Sequence, residues 1–185
     1  MNKNNTIKSI GLDISLTGTG LVILEKGKII QQKLIKSKPI PNGTPRDEVL
    51  RMLKIVEEIE DVVSEYNPTI AVIEGLAFGI QKTTSLTQLA ALNFFTRARL
   101  IDYRIPFVIV FPTTLKKFIT GSGASKKDVL MMEIYKRWGV SIADNNEADA
   151  YSLAQVGLAL FGGNSKAITK FQQEVINLLK KQLQI

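Results

Sequence analysis

Apolar and β-branched residues alternate or cluster in short runs over the first third of the chain. Thr6–Asp13, Gly20–Glu25 and Ile29–Lys36 each predict a strand. Lys26-Gly27-Lys28 separates the second and third by a tight hairpin turn. Ser37–Pro45 holds Pro39, Pro41, Pro45 and Gly43 and predicts a loop. The period then changes. Val49, Leu50, Leu53, Val56, Ile59 and Val63 recur at three- and four-residue steps, which predicts a helix over Arg46–Tyr66 ended by Asn67-Pro68. Thr69–Glu74 and Phe107–Phe111 are short, mostly apolar runs of the kind buried in parallel sheets.

Helical patterns fill the remainder: Ser85–Tyr103, Thr113–Thr120, Ser125–Trp138, Asn146–Phe161 and Lys166–Leu183. The last carries Phe171, Val175, Leu178 and Leu179 on one face. The chain shows no internal repeat, low-complexity tract or linker, so 1–185 reads as one domain, with a core over about 6–162 and a helical extension over 164–185. Three antiparallel strands followed by strand–helix units predict an α/β three-layer fold. Its five-stranded mixed sheet has helices on both faces, the order of ribonuclease H-like proteins.

Composition narrows the chemistry. The 185 residues contain no cysteine and no histidine. Disulfides, thiolate metal sites, His-bound zinc and histidine-based triads are therefore excluded. Hydrolytic chemistry would have to run on carboxylates, lysines, hydroxyls or a hard cation. Lys and Arg number 24 against 17 Asp and Glu, a net charge of +7 that suits a polyanionic partner. Met1–Thr6 is polar, and no apolar run is long enough to cross a bilayer, so the expectation is a cytoplasmic protein without a membrane partner.

Three acidic residues occupy costly positions. Asp13 ends the first strand in Ile10-Gly11-Leu12-Asp13, Glu74 ends the fourth in Ala71-Val72-Ile73-Glu74, and Asp149 lies in the first turns of a helix. A carboxylate at the end of an apolar strand is expensive unless solvated or paired with a cation. Strands one and four are expected neighbours, so the first two would meet at one sheet edge with Asp149 above them. Oxygen ligands alone imply magnesium, with manganese as a substitute. Two such ions roughly 4 Å apart suit phosphodiester hydrolysis. Asp13 is followed by small residues through Gly18 and Gly20, which permit a tight turn and a close approach of a phosphate. Sugar kinases and actin-like ATPases carry a similar turn.

From Ile7 to Gly162 the chain resembles the RuvC family of Holliday junction resolvases. The matching blocks are Gly11-Leu12-Asp13 with Thr17, Gly18 and Gly20; Val72-Ile73-Glu74; Pro112 to Lys117 leading through Thr120 to Val129; and Glu147-Ala148-Asp149-Ala150 to Ala154. The resemblance implies a homodimer that nicks four-way DNA junctions symmetrically with magnesium and needs no organic cofactor. It places Asp13, Glu74 and Asp149 as metal ligands, and Lys116 and Lys126 near the scissile phosphate. The family's fourth ligand position holds Asn146 here, a neutral and weaker donor. Glu147 is the other candidate, though Asp144 and Glu147 also have the spacing of a capping box. Lys117 and Lys127 are candidate backbone contacts. Phe78 would stack on an unpaired base, with Lys82 beside it. Leu86, Leu89, Ala90, Asn93 and Phe94 would lie on the dimer helix. Three rivals stay open: a YqgF-type RNA-processing nuclease, an actin-like ATP-binding protein and a non-catalytic junction binder.

Overall fold

A computed structural model describes residues 6–76, 84–163 and 166–183. Five strands form one sheet: β1 (Lys8–Asp13), β2 (Gly18–Glu25), β3 (Lys28–Lys36), β4 (Ile70–Glu74) and β5 (Phe107–Val110), in the order β3-β2-β1-β4-β5. The first three pair antiparallel, whereas β4 runs parallel to β1 and β5 parallel to β4. The mixed sheet and its antiparallel start are as expected. The β2–β3 hairpin turns on Lys26 and Gly27, both left-handed (φ 51° and 75°), which is the primed turn that matches strand twist. A register shift follows at Ile23/Leu24, leaving Ile30 without a partner across the ladder.

Six helices lie among the described residues. On one face, α1 (Pro45–Tyr66) and α2 (Thr84–Asp102) cover Ile10, Leu12, Leu21, Ile23 and Ile73. On the other lie α3 (Pro112–Thr120), α4 (Lys127–Trp138), α5 (Asn145–Leu160) and α6 (Lys170–Lys180), over Val22, Leu24, Ile70, Val72 and Val108. Thr44 opens α1 with a capping box closed by Asp47, and Asn67 ends it in a left-handed cap.

Two helix faces differ from expectation. In α1 the sheet-facing stripe is Met52, Ile55, Val56, Ile59, Val62 and Val63, while Val49, Leu50 and Leu53 are exposed. In α6 the buried residues are Gln172, Val175, Ile176 and Leu179, and Leu178 points to solvent. The last helix is also shorter than Lys166–Leu183, because Thr169 caps it and Gln172 closes a capping box.

The C-terminal extension is stapled to the fold at three places. The Arg137 guanidinium donates to the Ala167 carbonyl at 2.7 Å and to Gln172 Oε1 at 2.6 Å. Lys117 Nζ donates to Glu174 at 2.9 Å. On the outer strand, the Ile109 N–H donates to Gln182 Oε1 and Gln182 Nε2 donates to the Ile109 carbonyl, both at 2.9 Å.

Candidate active site

The site begins with register. Leu12 pairs with Ile73 across the parallel β1–β4 ladder, so the next residues, Asp13 and Glu74, end adjacent strands side by side. Alternation turns Ile10 and Leu12 toward α1 and α2, which leaves Asp13 on the α5 face. The two carboxyls are hydrogen-bonded to each other.

Two glycines bring in the third acid. A Cβ on Gly11 would stand 1.9 Å from the Ala150 carbonyl oxygen, and one on Gly20 would stand 2.2 Å from that of Asn146. The backbone of α5 therefore sits directly on β1 and β2, with no side chain between. That seating holds Asp149 against the sheet end. Asp13 and Asp149 retain only 7% and 9% exposure. The small residues after Asp13 thus accommodate a helix. The turn itself is tied by Thr19, whose hydroxyl donates to the Ser15 carbonyl at 2.8 Å and accepts from the Ser15 N–H at 3.1 Å.

Electrostatics record the crowding. Burial raises Asp13 to about 6; its hydrogen bond with Glu74 and the Lys127 charge pull it back, while the Asp149 and Asp144 charges add to the rise. Glu74 is raised to about 8 by burial, then by the charge of Asp13, which accepts a hydrogen bond from its protonated carboxyl. Near neutrality the pair therefore shares one proton, with Glu74 as donor. Burial also raises Asp149, against the lowering effect of Lys127 and Lys116. Lys127 Nζ meets Asp149 Oδ2 at 3.2 Å.

The donor set is all oxygen, buried and self-repelling, which fits a hard divalent cation. Among the described residues no three acidic side chains enclose one point: Asp13 faces Glu74, and Asp149 turns to Lys127. Lys127 is thus the cation that compensates Asp149 here.

The other expected residues separate into distinct positions. Lys116 acts on Asp149 through its charge. Lys126 opens α4 as an exposed N-cap without a side-chain capping bond, so its neighbour Lys127 takes the position beside the carboxylates. Lys117 points away, toward Glu174. Asn146 Nδ2 donates to the Gly18 carbonyl at 2.8 Å, tying α5 to β2. Asp144 caps α5 by accepting from the Asn146 and Glu147 N–H groups at 2.8 and 3.2 Å. Asp144, not Glu147, is the further carboxylate whose charge reaches Asp13. Sequence spacing gave Asp144 only a cap role; its place at the helix start that also carries Asp149 was the available signal. On α2, Asn93 is buried and accepts from Arg97 at 2.8 Å, while Phe94 is 63% exposed beneath the Arg97 guanidinium. Phe78 and Lys82 lie outside the described residues.

Known proteins place this architecture. A Prochlorococcus marinus protein named crossover junction endodeoxyribonuclease RuvC is 27% identical over 152 residues, spanning 80% of this chain and 96% of its own. The solved Thermus thermophilus RuvC superposes with a TM-score of 0.69 at 17% identity, covering 85% of this chain and 98% of the other. A second T. thermophilus RuvC structure, in complex with Holliday junction substrate, gives the same TM-score at 16% identity, covering 85% and 97%. Residues 9–156 match the family described as crossover junction endodeoxyribonuclease RuvC, and the chain belongs to that family.

Proposed function

We propose that the chain is a structure-selective endonuclease that resolves four-way DNA junctions by paired, symmetric phosphodiester hydrolysis. The carrying observation is the meeting of Asp13 and Glu74 on adjacent strand ends, with Asp149 brought by α5 to the same sheet end, near enough for its charge to act on both. Asp13, Glu74 and Asp149 would hold magnesium, with manganese as a substitute and two ions per site. When bound, the ions supply an acidified water and neutralise charge on the phosphate and the leaving 3′ oxygen. Loading requires the proton shared by Asp13 and Glu74 to leave, since a protonated carboxyl is a poor ligand. Asp144 adds negative potential beside Asp13 while fixing the start of α5. Lys116 and Lys127 supply positive charge next to Asp149, where charge builds on a phosphate in the transition state.

Paired nicks need two such sites, which supports a homodimer with the exposed Phe94 face of α2 in the interface. The net charge of +7 supports a DNA partner. Among the described residues no helix is long and apolar enough to cross a membrane, and we place the protein in the cytoplasm with its DNA. An end-labelled four-way junction incubated with magnesium or manganese should yield paired nicks at symmetric positions. Asp13→Asn should abolish nicking while junction binding persists. Undiminished nicking by that variant removes Asp13 from the site, and binding without nicking by the wild-type chain makes the protein a junction binder only.

A further inference from the structure

Outside the site, a groove of about 420 Å³ lies between the end of β3, the loop after it and α1. Four cations line it: Lys36, Lys38, Arg51 and Lys54. The two carboxylates there are already engaged. Asp47 accepts from Thr44 in the α1 cap at 2.7 and 2.9 Å, and Glu58 is ion-paired with Lys33 at 3.0 Å. Lys36, Lys38 and Lys54 are exposed. The groove therefore presents a surplus of uncompensated positive charge.

Its position is tied to the site. Gly18, in the strand that returns from the Asp13 turn, pairs with Lys36. The Ser37 N–H donates to the Thr17 carbonyl at 3.2 Å, and Arg51 Nη1 donates to the Leu16 carbonyl at 3.3 Å. The groove wall is thus bonded to the turn that directly follows Asp13. With β2 between them, β3 lies two strand spacings from β1, about 10 Å. A DNA strand spans that distance in about three nucleotide steps.

We infer that this groove holds the phosphodiester backbone of a junction arm as it leaves the carboxylate site. The inference rests on the nuclease reading and adds to it a binding surface on the opposite side of the Asp13 turn from Lys116 and Lys127. Charge complementarity selects the occupant: unpaired lysines spaced along an open groove suit a repeating anion, and the exposed Ile40 and Leu50 flank it without closing it. These residues contact phosphate and sugar, so they contribute affinity and not sequence choice.

The test is fluorescence anisotropy of a labelled four-way junction with the full chain in EDTA, over a series of salt concentrations. The Lys36→Gln/Lys38→Gln/Lys54→Gln variant should weaken binding about tenfold or more. It should also reduce the slope of log affinity against log salt by about 2 to 3, as loss of two or three phosphate contacts requires. A charge-matched control, Lys26→Gln/Lys28→Gln/Arg104→Gln at the opposite end of the sheet, should keep most of the wild-type affinity and slope. Equal losses in both triple variants, or an unchanged slope in the groove variant, overturn the proposal. If the groove variant alone loses affinity but no form of the protein nicks DNA, the groove stands and the nuclease reading falls.

Discussion

Gly11→Ala tests the seating of α5 on the sheet. The added Cβ would lie 1.9 Å from the Ala150 carbonyl oxygen and 2.5 Å from the Ala154 nitrogen, both backbone atoms of a helix buried along most of its length. Contacts below 3.0 Å do not persist, so α5 and β1 must separate by at least about 1 Å. That shift loosens Tyr151, Leu153 and Val156, all fully buried. Overpacking of this kind costs about 1–3 kcal/mol and more where backbone must move. Replacing glycine stiffens the unfolded chain and recovers only about 0.4–1 kcal/mol. The clash wins, and the expected loss is about 1–2 kcal/mol in urea unfolding followed by circular dichroism. Function should suffer further. Asp149 precedes Ala150 and moves with it, and a displacement of about 1 Å can cost about 100-fold in rate. Nicking of a labelled junction, measured where the variant is still folded, should fall by that order, while binding through surface lysines persists. Wild-type stability with wild-type nicking in Gly11→Ala would refute a direct helix–strand contact and the siting of Asp149 that depends on it.

Metal-free stability should fall as pH rises from the ordinary carboxylate range to about 8. Asp13 is raised to about 6 and Glu74 to about 8, so the native state binds more protons than the unfolded chain across that window. Asp13 alone contributes on the order of 3 kcal/mol; urea titrations in EDTA should show the decline, Glu74→Gln should flatten its upper part, and a rise with pH would contradict the shared proton. Lys127→Met should slow nicking by roughly 100-fold, the scale of a lost transition-state contact, because it removes the cation 3.2 Å from Asp149. Lys126→Met should stay near wild type; the reverse pattern would return the role to Lys126. Gln182→Ala should cost about 0.5–1 kcal/mol in urea unfolding, since both bonds to Ile109 lie at the exposed sheet edge, where water takes the place of the amide.

The sheet was legible because strand periodicity, the Lys26-Gly27 turn and the strand-ending acids are all local signals. Asp13 and Glu74 stood out for a physical reason: a carboxylate closing an apolar run has no structural use that repays its burial. Helix faces were harder. The α1 sequence is apolar at 49, 50, 52, 53, 55 and 56, so two stripes of helical period compete, and only the packed sheet selects the one through Met52, Ile55 and Val62. Lys126 and Lys127 differ by one position, which at a helix start is about 100° of rotation. Their roles depend on where α4 begins, and it begins at Lys127, two residues after the expected Ser125. The glycines were read as room for a phosphate because sequence shows that space is needed, not what fills it. Asp144 was obscured by its capping duty: one oxygen accepts both N–H groups of the first turn, and its charge still reaches Asp13.

The paired bonds between Gln182 and Ile109 have a consequence for the protein in solution. β5 is a terminal strand of the sheet, and an open terminal strand is a template for another chain. A primary amide can present one N–H and its carbonyl side by side as a peptide unit does, so Gln182 occupies the docking point that a foreign strand would use at Ile109. Gln182 thereby covers this edge at Ile109, and chains shortened before Gln182 should leave it open to pairing with another chain.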